Sequence, residues 1–159
     1  MIWLLRHHAV QVAPGTCYGR LDVPLAEPAR AVALPEGVPV FSSPARRCAE
    51  LAAASAPAFT TDARLLELDF GAWEGRAWDD IPRAALDEWA ADPWGFAPPG
   101  GENGRALLAR IRAFWDAAPR PVVIISHGGP LRLLRALAEG RAPEILEPPP
   151  PLGAVLHIR

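Results

Sequence analysis

Two short apolar runs, at residues 2–5 and 122–125, constrain the fold of this chain more than any other feature. Each run is aliphatic or aromatic without polar alternation, the pattern of a strand buried on both faces of a parallel sheet. Each run is followed within two residues by a histidine, His7 in the first case and His127 in the second. The two runs therefore predict central strands that carry histidines at their carboxyl ends.

The intervals between these runs are filled by helical patterns. Three weaker strands are predicted, at 39–42, 58–61 and 154–158. His157, in the last of these strands, is expected to be structural. Four helices are predicted from apolar spacing and from Pro and Gly punctuation, at 44–56, 82–91, 103–117 and 130–139. Strands that alternate with helices indicate a single α/β domain over residues 1–159, a three-layer sandwich with a mostly parallel central sheet flanked by helices.

Composition excludes several classes of partner. The formal net charge is -2 and no polybasic run occurs, so neither nucleic acid nor an anionic membrane is an expected partner. Cys17 and Cys48 are too few and too far apart for a disulfide framework or a zinc site. No signal-peptide core or membrane-spanning stretch is recognisable, so a cytoplasmic location is expected.

Ligands of parallel sheets collect at the carboxyl ends of the strands, so His7 and His127 are expected to face one crevice if their strands are neighbours. Gly128 and Gly129 follow His127 and precede a helix predicted to start at Pro130. Bare backbone N–H groups and the positive end of that helix would favour an anion.

A second helix start carries arginines. Ser43 is predicted as its N-cap, with Pro44 at the first helical position. A phosphate between the helix terminus and Arg47 would offset the unfavourable placement of a cation there, whereas Arg46 is expected to be solvated. The segment 65–75 holds Glu67 together with aromatic residues and glycines, which is typical of a loop packed against a site. Its other acids, Asp69 and Glu74, taken singly, are expected to be solvated surface charges.

These residues resemble the histidine phosphatase (phosphoglycerate mutase-like) superfamily. The resemblance spans most of the chain and rests on five motifs in the family's order: Arg6-His7, the Ser-Pro-x-x-Arg ending at Arg47, Glu67 with 70–75, Pro99-Gly100-Gly101-Glu102 and Ser126-His127-Gly128-Gly129. The stretch 17–25 further resembles the α-ribazole phosphatase branch, which acts in cobalamin nucleotide-loop assembly.

The resemblance implies a phosphoglycerate mutase-like fold and a role for each site residue. His7 would accept the phosphoryl group, and Glu67 would protonate the leaving oxygen and then deprotonate water. Arg6, Arg47 and His127, with the Gly128 amide, would bind the phosphoryl oxygens. No metal or other cofactor is implied. The expected partner is a small phosphate monoester, with a homodimer as a further expectation.

Several positions depart from the family pattern. His8 replaces a glycine and is either an added ligand contact or a solvent-facing turn residue. Val10 and Ala13 replace hydrogen-bonding residues, while Ala26, Ala29 and Val32 replace a Thr and a Gly-x-x-Gln pattern. Four tryptophans between residues 73 and 94 predict either a lid over the pocket or core packing; these are Trp73, Trp78, Trp89 and Trp94.

Four functions are consistent with these residues. The first is a phosphomonoesterase, with α-ribazole 5′-phosphate as the leading substrate. A sugar-phosphate phosphatase or mutase and a protein phosphohistidine phosphatase are enzymatic alternatives, although a mutase is disfavoured by the short chain. A non-catalytic phosphate-binding protein is the fourth, suggested by the departures at His8, Val10 and Ala13.

Overall fold

A central sheet of five strands organises the molecule, and the computed structural model describes all of residues 1–159. In chain order the strands are β1 (Ile2–Arg6), β2 (Val40–Ser42), β3 (Thr60–Thr61), β4 (Val122–Ser126) and β5 (Val155–Ile158). Their spatial order is β3-β2-β4-β1-β5, and every neighbouring pair is parallel except β1 with β5. The predicted mostly parallel sheet is confirmed.

The strands that carry the two histidines are direct neighbours. β1 and β4 pair in parallel from Ile2 opposite Val122 to Arg6 opposite Ser126. Since the register is equal, His7 and His127 leave the sheet side by side, and the His7 backbone N–H donates to the Ser126 carbonyl at 3.3 Å. The expected adjacency of these strands is confirmed.

Helices cover both faces of the sheet. The four helices are α1 (Arg46–Ser55), α2 (Arg83–Ala91), α3 (Gly104–Ala117) and α4 (Gly128–Ala138), and α2 alone packs against the Trp73 cluster rather than the sheet. One buried cluster joins Leu4 and Ile124 to residues of α3 and α4, while a second joins Leu5 and Ile125 to residues of α1. Alternate residues of each strand thus pack into opposite layers, which gives the predicted three-layer α/β sandwich. No helix combines the length and apolar character needed to cross a membrane.

Two predicted helix starts are wrong. α1 begins at Arg46 rather than residue 44, with Ala45 as its N-cap, although Ser43 Oγ still accepts from the Ala45 N–H at 3.3 Å. The Arg46 N–H donates instead to the Asp22 carboxylate at 2.9 Å, so a distant loop supplies the missing acceptor. α4 begins at Gly128 rather than Pro130, which places both glycines within its first turn. Their N–H groups are consequently among the donors that have no partner within the helix itself.

The last strand closes over the beginning of the chain. β5 lies antiparallel to β1 at the sheet edge, and His157 stacks on Trp3 with ring centroids 4.6 Å apart. Just before β5, the Gly153 N–H donates to the Arg6 carbonyl at 3.0 Å. The Arg6 side chain in turn donates to the Pro150 carbonyl at 3.1 Å. Residues 150–158 therefore hold the turn that presents Arg6 and His7.

Candidate active site

A cavity of about 330 Å³ opens at the carboxyl ends of β1 and β4. Five of the predicted site residues line it, namely Arg6, His7, Arg47, Glu67 and Gly128. His127 lies directly behind His7, with ring centroids 5.3 Å apart, and is 1% exposed. The fold thus brings together residues from four separate segments of the chain, as the motifs predict.

His7 is held in one tautomer. Its Nδ1 lies 2.7 Å from the His8 carbonyl oxygen, and because a carbonyl only accepts, Nδ1 carries the proton. Nε2 is therefore left with a free lone pair. Burial lowers the pKa of His7 to about 4, and the charges of Arg47 and Arg6 act in the same direction. The hydrogen bond to the His8 carbonyl raises the pKa and only partly offsets these effects. The imidazole is neutral near pH 7 and suited to nucleophilic attack.

Arg47 is fully buried without a carboxylate partner. Its Nη2 donates to the Gly19 carbonyl at 2.7 Å and its Nη1 to the Leu21 carbonyl at 3.1 Å, while Nε has no partner. Arg6 also lacks an acidic partner and has an unpaired, buried Nε. Buried cations are ordinarily paired, so two unpaired guanidinium groups beside one cavity indicate a site for an anion.

Glu67 is fixed by backbone N–H groups. Oε2 accepts from Gly129 at 3.1 Å and Oε1 from Leu68 at 2.8 Å. Its own carbonyl accepts from Arg110 at 3.0 Å, and Arg110 forms an ion pair with Glu102 at 2.8 Å. The Pro-Gly-Gly-Glu motif therefore supports the backbone on which Glu67 stands. The carboxyl group lies at the first turn of α4, on the same cavity as His7.

Ser43 contacts this site as well as the backbone at the start of α1. Its Oγ lies 2.8 Å from His127 Nε2, and Cys48 Sγ lies 3.6 Å from the same nitrogen. Burial holds the pKa of His127 well below its usual range, and the nearby charge of Arg47 lowers it further. His127 is therefore a neutral, oriented ring beneath the cavity.

Glu74 is not the solvated charge expected from its sequence context, and this expectation is wrong. Its carboxylate accepts hydrogen bonds from the N–H groups of Gly19, Arg20, Leu21 and Phe70, at 2.7–3.2 Å. The same loop, residues 19–21, provides the carbonyls that bind Arg47. Glu74 thus positions Arg47 through the backbone of this loop. Asp69 likewise accepts from the Gly71 N–H at 2.9 Å.

Arg132 also lines the cavity, and sequence reasoning missed it. Its Nη1 donates to the Ile145 carbonyl at 2.8 Å, its Nε is buried without a partner, and burial lowers its pKa. Residues four apart share one face of a helix. If the helix had been predicted to begin at Gly128, the spacing from Gly128 to Arg132 would have placed Arg132 on the face of α4 that lines the cavity.

The tryptophans divide between the two predicted roles. Trp73 is 2% exposed and Trp94 packs against the main core, as the core-packing alternative requires. Trp78 and Trp89 are partly exposed and line the cavity with Phe70. The segment therefore provides both a core and a cavity wall.

His8 lies outside the cavity. Its Nε2 is 3.2 Å from the Arg30 carbonyl, and its ring lies against Gly153. The side chain is partly exposed, in keeping with the turn-residue alternative rather than with a contact to a ligand beside His7. Val10 pairs with Leu25 in an isolated bridge and does not line the cavity either.

Comparison with known proteins gives a consistent family. The family described as "Histidine phosphatase superfamily (branch 1)" matches residues 2–150. A curated relative, "Glucosyl-3-phosphoglycerate phosphatase" of Mycolicibacterium vanbaalenii, is 32% identical, and the match covers 86% of this chain and 73% of the relative. Mycobacterial relatives that include "Bifunctional protein Rv2228c" are 32% identical over 111 residues, or 62% of this chain. The match spans only 30% of their length.

Solved structures with the same architecture cover nearly the whole chain. TTHB049 from Thermus thermophilus is 32% identical, with a TM-score of 0.78, over 97% of this chain and 90% of that one. The α-ribazole phosphatase from Shigella flexneri has a TM-score of 0.83 over 97% of this chain and 87% of that one. At 23% identity, the latter shows a shared fold.

Proposed function

Since this chain belongs to the histidine phosphatase superfamily (branch 1), we propose that it is a metal-independent phosphomonoesterase that acts through a phosphohistidine intermediate on His7. The observation that carries the proposal is the environment of His7. Its Nδ1 is bound to the His8 carbonyl, its Nε2 is free, and the cavity beside it is lined by Arg6 and Arg47, neither of which has a carboxylate partner.

In the first half of the reaction, His7 Nε2 attacks phosphorus, an N–P bond forms and the ester P–O bond breaks. Arg6, Arg47 and the amides of the first turn of α4 offset the negative charge on the equatorial oxygens. Glu67, in its protonated form, gives its proton to the leaving oxygen, so that an alcohol departs. His127 does not line the cavity; its ring, held by Ser43, packs behind His7 and restricts how the His7 ring can turn.

In the second half, water attacks the phosphoryl group and Glu67 takes a proton from it. The N–P bond breaks, its electron pair returns to His7 Nε2, and inorganic phosphate is released. Splitting the displacement in this way lets one carboxyl group serve first as acid and then as base. Glu67 is suited to both steps because it is held beside the cavity by Gly129.

The test is turnover of a monoester in excess chelator by wild type, His7→Ala and His157→Ala. His157 is a matched control because it lies in β5, stacked on Trp3 of β1 and away from the cavity. We expect loss of turnover in His7→Ala only, and an acid-labile phosphoenzyme in wild type after rapid quenching. Activity that survives His7→Ala, or that requires added metal, would contradict the mechanism. Phosphate binding without turnover of any ester would instead identify a non-catalytic binding protein.

For the natural substrate we propose α-ribazole 5′-phosphate, and hence a role in cobalamin biosynthesis. The support is the resemblance of residues 17–25 to that branch, a stretch that here includes the loop binding Arg47 and the cavity residue Tyr18. The experiment is a comparison of kcat/KM for α-ribazole 5′-phosphate with that for phosphoglycerates and phosphohistidine peptides. Preference for another ester would remove this substrate while leaving the phosphatase assignment in place.

A sugar-acid phosphate is the second candidate, and Arg132 favours it. A third cation at the cavity could bind a carboxylate carried by the substrate, and a relative at 32% identity is named for glucosyl-3-phosphoglycerate. If this candidate holds, Arg132→Gln should lower kcat/KM for 3-phosphoglycerate and leave that for ethyl phosphate nearly unchanged. Equal loss on both esters would show that Arg132 serves the phosphoryl group instead.

A further inference from the structure

We propose that Trp78 and Trp89, backed by Phe70, form a stacking wall for the leaving group, so that the enzyme selects phosphomonoesters whose alcohol carries a planar aromatic or heteroaromatic ring. This inference rests on the proposed phosphatase function and adds the substrate class. It assigns a role to the two tryptophans that the chemistry at His7 does not use.

The wall is ordered before any ligand arrives. The two indole rings are parallel within 5°, with centroids 5.8 Å apart. Phe70 meets each of them edge to face, at 5.6 Å and 6.0 Å. Buried Trp73 packs edge to face against both from behind. Because neighbouring rings fix their planes, a ligand ring could stack without ordering loose side chains.

The wall lies where the leaving group must go. Phe70 follows Glu67 by three residues in the same loop, and both line the cavity that contains His7. Glu67 protonates the leaving oxygen in the proposed reaction. The carbon skeleton attached to that oxygen is therefore directed past Glu67 into the part of the cavity bounded by the aromatic rings.

The chemistry of that part of the cavity favours a ring over a polyhydroxylated chain. Away from the phosphate-binding residues, its polar side chains are Thr16, Tyr18 and Arg132, and the rest are apolar. These three side chains can bond to only a few of the hydroxyl groups of a polyhydroxylated chain, and a buried hydroxyl group left without a partner is unfavourable. A planar ring needs none, and stacking of a base on an aromatic side chain strengthens binding by roughly 5-fold to 100-fold.

The test uses two esters that share the reacting chemistry. Benzyl phosphate and ethyl phosphate both release a primary alcohol, so a difference in kcat/KM reports recognition of the ring. We expect wild type to prefer benzyl phosphate by roughly 5-fold to 100-fold. Trp89→Leu should lower kcat/KM for benzyl phosphate by a larger factor than that for ethyl phosphate and so remove most of this preference, and Trp89→Phe should keep part of it. Trp115→Leu is the matched control, since Trp115 packs under Arg120, away from the cavity.

The outcomes separate this inference from the proposed function. Two results would overturn the stacking wall and leave the proposed function in place. In the first, both esters are hydrolysed and Trp89→Leu does not change the preference for benzyl phosphate. In the second, the enzyme prefers 3-phosphoglycerate to benzyl phosphate. If no ester is hydrolysed, the proposed function fails. The stacking wall can then still be tested by calorimetry, from the dissociation constants of phenylphosphonate and methylphosphonate. A tighter dissociation constant for phenylphosphonate that is lost in Trp89→Leu supports it, and equal constants contradict it.

Discussion

The imidazole rings of His7 and His127 meet edge to face, with centroids 5.3 Å apart and planes at 63°. Both rings are buried, and both lie near Arg47, whose charge lowers the pKa of each after the larger effect of burial. Two charged imidazoles at this distance beside arginines would repel one another. The arrangement is therefore stable with both rings neutral, and a bound phosphate is the natural source of compensating negative charge.

The neutral state of His7 predicts a pH dependence of stability. Its pKa is about 4 in the folded protein and 6.5 in an unfolded chain, so between these values the unfolded chain binds more protons. The free energy of unfolding should be insensitive to this group above pH 6.5 and should fall as pH drops towards 4, by about 3 kcal/mol in all. Urea unfolding of wild type and His7→Gln across this range checks it. Equal slopes in the two proteins would contradict the lowered pKa.

Glu74→Gln should weaken phosphate binding without touching the phosphate. The carboxylate accepts from the loop that holds Arg47, and an amide can satisfy fewer of those four N–H groups. We expect KM to rise by about tenfold with a smaller change in kcat, since a hydrogen bond to a charged group contributes about 1.5–3 kcal/mol. Glu50→Gln, which breaks an exposed ion pair with Arg46, is the control and should change neither constant. A drop in kcat alone would argue against the proposed positioning of Arg47.

Gly129→Ala should separate catalysis from stability. A Cβ at this position would lie 2.3 Å from Glu67 Oε1, so the carboxyl group has to move while the backbone of α4 stays in place. We expect kcat to fall by at least about tenfold because the general acid is displaced. The melting temperature should be kept, since alanine favours the helix.

Gly95→Ala is its matched control, because the added Cβ there would also meet a carboxylate, that of Asp92 at 2.3 Å, outside the cavity. Gly95→Ala should therefore retain wild-type kcat. Unchanged kcat in Gly129→Ala would show that the position of Glu67 is not critical.

Ser43→Ala should free His127 from its hydroxyl partner. A buried ring nitrogen then loses its bond at 2.8 Å, which we expect to destabilise the fold by about 1–3 kcal/mol and to weaken inorganic phosphate binding several-fold. Nitrogen NMR of the histidine rings and phosphate titration measure the two effects. Ser42→Ala is the comparison, because that buried hydroxyl donates only to the adjacent Ser43 carbonyl. Identical His127 signals in wild type and Ser43→Ala would refute the contact.

The sheet and the positions of His7 and His127 could be predicted from sequence because their signals are local. Continuous apolar runs fix β1 and β4, and parallel pairing then places His7 beside His127. The roles of Ser43 and Glu74 could not be predicted because their partners are distant in sequence. Ser43 Oγ accepts from the nearby Ala45 N–H, as a local pattern can suggest, but its contact with His127 exists only in the folded chain. Glu74 lies 53–55 residues from its loop partners, and only the folded chain brings them together.

The start of α4 could not be predicted for a different reason. Glycine has low helix propensity, so Gly128 and Gly129 indicate a loop when read locally. In the structure Glu67 takes the N–H of Gly129, and the tertiary contact compensates for the weak propensity. The position of Arg132 at the cavity follows from this boundary, so it could not be predicted without the correct start of α4. The cavity wall of Trp78 and Trp89 is equally hidden, because spacing alone does not separate a core tryptophan from a lining one.

The closure of residues 150–158 over β1 has a consequence for synthesis of the protein. Arg6 is synthesised 144 residues before Pro150, whose carbonyl binds the Arg6 side chain, and Gly153, which donates to the Arg6 carbonyl, is synthesised later still. A nascent chain that has not reached these residues carries His7 on a turn without the contacts that hold it. Competence to react should therefore appear only after residues 150–158 leave the exit tunnel and dock against β1.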